Sequence, residues 1–281
     1  MAGVITSVLI ILTGAAVRLS QSGLGCPDWP NCTAHSIAAA GTTGDPLIHR
    51  WIEFGNRLVT AAIFVVAIGV FIAAWRFRPA HGQRRRDLLW LAAAQPGAIV
   101  LQALLGGLVV LTKLNPALVS LHFLASVALV AGTVALYVRC QEGTGPARFA
   151  VPRLVWLCAL GVVAAVALMM TAGTVVTGTG PLAGAADVAR YHLPLEGVTQ
   201  LHADIGWLLA GLIGLQGVIG YTQYFSGLPA GLVWTHVAGS VAIWVTALLL
   251  PYALRDRGSV ADDPGAAPAS ERLSEAAAAL D

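Results

Sequence analysis

Long apolar runs alternate with short polar stretches along the whole chain, and most of the runs approach the ~20 residues that a helix needs to cross a bilayer. Residues 1–19 form the first run, which ends at Arg18; 51–75, 88–112, 117–138 and 154–176 follow, and 232–254 is the last. Each reads as a membrane-spanning helix. Pro96 falls inside the third and is expected to kink it, because proline removes a backbone donor. The first run lacks a basic lead and an A-x-A cleavage site, so it reads as a span and not as a signal peptide. Its abrupt start leaves room for a longer cytoplasmic lead.

The polar stretches fix the orientation. Arg76, Arg78, Arg84, Arg85 and Arg86 crowd the second connection, and Arg139, Arg148 and Arg153 mark the fourth. The positive-inside rule puts both in the cytoplasm. The stretches 20–50 and 178–196 then lie outside and are each other's counterparts. Gly14-Ala-Ala-Val17 leads into one and Gly173-Thr-Val-Val176 into the other.

A second repeat is stronger. Gln102 and Gly106 lead through Asn115-Pro116 to His122 and Ser126; Gln216 and Gly220 lead through Leu228-Pro229 to His236 and Ser240. Polar residues at equal offsets inside apolar sequence indicate a duplicated unit. The expected fold is therefore an all-α transmembrane bundle with a duplicated unit, its halves at residues 1–140 and 152–254, with a disordered cytoplasmic tail over 256–281.

The second half is short. Residues 198–224 hold one apolar run where the first half has two, giving about seven segments instead of eight. Seven full spans would put Arg255 and Arg257 outside and separate His202 from His236. A re-entrant hairpin with both ends outside, a single inverted span and a degraded copy remain as alternatives.

Composition agrees with a membrane protein: 57% of residues are hydrophobic and 11% charged, where soluble domains carry about 25% charged residues. The net charge of +2 gives no sign of a nucleic-acid partner. Of four cysteines, Cys26 and Cys32 bracket a Pro-rich outer loop. They read as a disulfide, with free thiols as the alternative; two cysteines are too few for a zinc site.

Glu53, Asn56 and Arg57 share one helix face at the outer end of the second span. Ionisable groups there are functional candidates, although Glu53 and Arg57 read equally well as an anchoring ion pair. His122, His202 and His236 each open a helix on the outer side. A lone histidine in an apolar helix is usually a core residue, but three at corresponding ends suggest ligands. Without a third or fourth zinc ligand nearby, haem held between helices is the better fit. His35, His81 and His192 have no assigned role, and an interfacial aromatic belt accounts for Trp29, Trp51, Trp207 and Trp234.

The stretch from Gly14 to Cys32, GAAVRLSQSGLGCPDWPNC, resembles the signature of the haem A synthase family. Ile-Glu-Phe-Gly-Asn-Arg around Glu53, Leu-His at His122, Gln-Leu-His-Ala-Asp at His202 and Thr-His at His236 agree in order. The resemblance implies eight transmembrane helices in two pseudo-symmetric four-helix halves and oxidation of the C8 methyl of haem O to a formyl group. It implies a haem b held by His202 and His236, and a substrate site with Glu53 as catalytic residue and His122 as haem ligand. It also matches Cys26 and Cys32 to a loop cysteine pair. Arg57 would hold Glu53 ionised or pair with a haem propionate. Asn56 stands where many members have a histidine, so the substrate iron would have His122 alone, or Asn56 would hold a water. The second cysteine pair that many members carry before the sixth span is absent.

On this reading the partners are haem O, supplied by a haem O synthase, and membrane lipid, and a homo-oligomer is compatible. The location is a bacterial inner membrane. A bis-histidine, cytochrome b-like electron carrier and a degenerate haem-binding or assembly protein are the rival functions.

Overall fold

A computed structural model describes residues 1–34, 36–39, 46–77, 84–208, 218–220 and 222–257. Among the described residues, seven helices of fourteen residues or more run in chain order: α1 (Ala2–Leu19), α2 (Leu47–Arg76), α3 (Arg86–Leu111), α4 (Pro116–Gln141), α5 (Arg153–Thr179), α6 (Leu195–Leu208) and α7 (Ala230–Ala253). Among the described residues, six of these are long and apolar enough to cross a membrane; α6, with 14 residues, is the exception. The chain is an all-α polytopic bundle. Pro96 lies inside α3 without ending it.

The helices begin earlier than hydropathy alone places them. α2 starts at Leu47 behind Pro46, so His49 and Arg50 belong to its first turn and not to the 20–50 loop. Proline's fixed φ suits a helix entry, and its missing donor removes nothing there.

The repeat reappears in the backbone. After α3, Lys113 and Leu114 take left-handed φ values of 55° and 59°. The Leu114 N–H donates to Val109 O at 2.8 Å, and Lys113 N–H to Val110 O at 3.0 Å. Before α7, Gly227 and Leu228 take φ values of 76° and 59°, and their N–H groups donate to Tyr224 O and Gln223 O at 3.3 and 2.8 Å. The donors and acceptors of one turn all lie 114 positions (236 − 122) from those of the other. A left-handed leucine costs about 1–2 kcal/mol, so its presence at both turns marks a constraint that both copies keep.

α1, α4, α5 and α7 pack along the central seam. Ile11, Val127, Val130, Val134, Val166, Met169, Val241 and Trp244 fill it from both halves. Indole donors cross it: Trp244 Nε1 donates to Val127 O at 3.1 Å and Trp234 Nε1 to Leu12 O at 3.3 Å.

One end of the bundle is closed by charge. Asp87 accepts from Arg85 and Arg139, and Glu142 from Arg139 at 2.6 Å and Arg255 at 3.2 Å. A two-stranded antiparallel ribbon lies beside this network, pairing β1 (Arg148–Phe149) with β2 (Arg255–Asp256). Asp256 is thus paired structure, which moves the start of the expected tail beyond it; residues 258–281 lie outside the described residues.

This network also answers the parity problem. Arg255 touches Glu142, so α7 ends on the side of the basic connections of the first half. His202 and His236 meet on the other side, with ring centroids 6.0 Å apart. Gly220 lies there too: a Cβ on it would sit 3.6 Å from His236 Cε1. A straight helix from 202 to 220 would separate its ends by about 27 Å at 1.5 Å per residue. Residues 202 and 220 thus both lie at the His236 end of the bundle. The path between them, 209–217, lies outside the described residues.

A histidine-lined candidate functional site

One cavity of about 540 Å³ runs between the halves on the outer side, a size in the range of cofactor pockets. Glu53, Asn56 and Arg57 of α2 line it, together with His122, His202 and His236. Three of these residues come from α2 and one each from α4, α6 and α7, and all six share this one space. Apolar groups including Ile63, Ile99, Leu129 and Met169 form its deeper walls.

The outer loop after α1 builds the Glu53 end. Cys26 and Cys32 form a disulfide and are fully buried. The loop lies against the start of α2 so closely that a Cβ on Gly25 would sit 2.5 Å from His49 O, which only glycine permits. The Cys26 N–H then donates to Glu53 Oε2 at 2.7 Å. Glu53 is 6% exposed, and its other oxygen receives Arg57 Nη2 at 2.7 Å.

Arg57 does more than pair with Glu53. Its guanidinium also donates to Cys26 O at 2.9 Å, Asn31 O at 2.9 Å and Asp28 O at 3.3 Å. The fork thus ties the carboxylate to the disulfide loop. The ion pair that the sequence offered as one of two readings is present, and the loop carbonyls are added to it.

Trp29 is likewise more than a belt residue. Its indole lies on Gly107 so tightly that a Cβ there would overlap it, and it lines the cavity. Trp51 does remain exposed, edge-on to Phe54.

His122 is held from its backbone. Gln102 Nε2 donates to Ser126 Oγ at 2.9 Å and to His122 O at 3.3 Å, and Ser126 Oγ donates to the same carbonyl at 3.1 Å. The repeated Gln, His and Ser are therefore one hydrogen-bonded group. In the second copy Ser240 Oγ donates to His236 O at 2.9 Å; Gln216 lies outside the described residues, as do His35 and His81.

Each imidazole leans on a glycine. Added Cβ atoms on Gly106, Gly173 and Gly220 would stand 3.4, 3.2 and 3.6 Å from Cε1 of His122, His202 and His236. Nδ1 of His122 and of His236 is enclosed with no hydrogen-bond partner among the described residues.

The His202 and His236 rings lie with centroids 6.0 Å apart at an interplanar angle of 85°. Among the described residues no group of three His, Cys, Asp or Glu side chains stands together. Two neighbouring imidazoles are a donor set that haem iron could use.

Two side chains that the sequence reading left unassigned also belong here. Arg18 lines the cavity and bridges the halves, donating to Leu182 O and Thr177 O at 2.7 Å each. Thr13 Oγ1 donates to Asn56 Oδ1 at 2.7 Å. Their partners are backbone atoms or distant polar groups, which leave no mark at fixed sequence spacing.

A polytopic helical bundle of six long apolar helices defines a multi-pass membrane protein, here with a histidine-lined internal cavity. The chain belongs to the COX15-CtaA family, described as cytochrome oxidase assembly protein, whose model matches residues 1–195. It is similar to proteins named heme A synthase. That of Lysinibacillus sphaericus (strain C3-41) is 34% identical over 121 residues, 43% of this chain and 36% of the relative. That of Oceanobacillus iheyensis is 30% identical over 115 residues, 41% and 35%. That of Bacillus cereus (strain 03BB102) is 32% identical over 116 residues, 41% and 34%. The chain thus spans about a third of the length of the curated relatives it matches. The family match takes in Glu53, His122 and the cysteine loop; His202 and His236 lie beyond it and stand on geometry.

Proposed function

We propose that the chain is a haem A synthase, oxidising the C8 methyl of haem O to a formyl group within a bacterial inner membrane. Haem O would be the substrate of the first half, and haem b the resident group of the second, held by His202 and His236. The observation that carries the reading is the single cavity in which a buried, two-point-anchored carboxylate shares walls with one imidazole and with a facing pair.

Haem iron, when bound, supplies the oxidising power that no side chain has. The protein's own groups position and screen. His122, fixed through Gln102 and Ser126, orients the substrate. Glu53 takes a proton from the reacting group or faces charge developing beside it. Arg57 and the Cys26 N–H hold both carboxylate oxygens, so the group meets its target without reorganisation. The apolar walls exclude water and strengthen those interactions.

The test is co-expression with a haem O source, followed by pigment extraction and chromatography. Haem A is expected from the wild type, and little or none from Glu53→Ala. Haem A at the normal rate from Glu53→Ala would end the role given to that residue. Haem b alone from the wild type would favour the electron carrier, to which the facing imidazoles are equally suited. No haem at all would favour a non-catalytic assembly protein.

A further inference from the structure

The two halves differ at one matched place. In the second half His202 of α6 fills the space over Gly173 of α5. Gly14 of α1 is the repeat counterpart of Gly173, and a Cβ on it would meet none of the described residues within 4 Å. The side chain that α2 brings to this level is Asn56, which lines the cavity. Asn56 reaches sideways to α1, where its Oδ1 accepts from Thr13.

That bond fixes the amide. The Thr13 hydroxyl lies 2.7 Å from Asn56 Oδ1 and 3.2 Å from Ile10 O. The shorter distance is ideal for an O–H donor and the longer one is poor, so the hydroxyl proton goes to Asn56. With its oxygen occupied, the amide is no ligand for iron, which prefers imidazole in any case. The amide nitrogen remains, and it donates to no group among the described residues.

We infer that the first half keeps an open ligand position in the cavity that Asn56 shares with His122, where a small uncharged acceptor such as water or a diatomic molecule takes a hydrogen bond from the Asn56 amide. The second half, closed by two imidazoles, has no such position. The inference rests on the haem reading above.

The test uses the reduced, detergent-solubilised holoprotein with carbon monoxide as probe, haem content being measured in parallel. Carbon monoxide should bind about half of the haem in the wild type, the half lost in His122→Ala. Asn56→His should keep the haem and lose that binding. Asn56→Leu, similar in size but without a donor, should keep the binding and raise the C–O stretching frequency. Thr13→Val should broaden or split that band by releasing the amide. Full haem loading with no carbon monoxide binding in the wild type would overturn the inference and leave the haem reading intact. So would a C–O stretch in Asn56→Leu that matches the wild type. Haem content unchanged in His122→Ala would instead sink the haem reading of the first half, and the inference with it.

Discussion

Replacing Arg57 with leucine should detach the disulfide loop from Glu53. The substitution removes the 2.7 Å ion pair and strands the carbonyls of Cys26, Asn31 and Asp28. The Glu53 carboxylate, its side chain 8% exposed, keeps only the Cys26 N–H. Breaking a buried pair by removing one partner costs about 3–5 kcal/mol. Arg57 is itself 23% exposed, and water reaching the loop would relieve part of this, so the lower end of that range is expected. Lysine keeps the charge but is a single point without the planar fork, so Arg57→Lys should recover the contact to Glu53 and not the loop carbonyls. The assay is hydrogen exchange over residues 22–34, paired with the rate at which a reductant opens the Cys26–Cys32 bond. Arg57→Leu should speed both, Arg57→Lys should fall between, and a double-mutant cycle with Glu53→Gln should show a coupling of about 0.5–3 kcal/mol. Loop exchange and reduction at wild-type rates in Arg57→Leu would refute the clamp.

Three further outcomes follow from contacts within the bundle. Gly107→Ala should displace the Trp29 indole, which its methyl would overlap, and shift the tryptophan emission; Gly106→Ala, with 3.4 Å of room to His122, should leave emission and thermal stability nearly unchanged. Glu142→Gln should loosen the basic end of the bundle, where Arg139 and Arg255 converge on that carboxylate; a loss of roughly 1–3 kcal/mol is expected, shrinking as salt rises, and a salt-independent loss in thermal denaturation would contradict the ion-pair account. Ser126→Ala should cost about 1 kcal/mol by removing the acceptor of Gln102, while Ser126→Thr, which keeps the hydroxyl, should cost less in the same measurement.

The six long spans were legible because bilayer thickness sets run length and arginine sets side. The repeated Gln, His and Ser were visible as a pattern, and the structure gives the pattern its reason: one amide and one hydroxyl converge on the His122 carbonyl. The Cys26–Cys32 bond was legible from spacing and prolines. Arg57's loop contacts were not, because backbone carbonyls look alike in any sequence. Thr13 was hidden for a related reason: its partner Asn56 lies 43 residues away across a loop. The ribbon at Arg148 and Asp256 was missed because two-residue strands carry no periodicity. The number of segments in the second half was not legible, since the described part of α6 is 14 residues, short of the ~20 that a crossing helix needs.

The three glycines behind the imidazoles have a thermodynamic consequence. A ring backed by another side chain rests on something that itself samples rotamers, whereas Gly106, Gly173 and Gly220 offer main chain held by its own helical hydrogen bonds. Much of each ring's torsional freedom has therefore been surrendered during folding, before any guest arrives. At about 0.5–1.5 kcal/mol for each immobilised side chain, three rings settled in advance spare an incoming guest a few kcal/mol of ordering entropy.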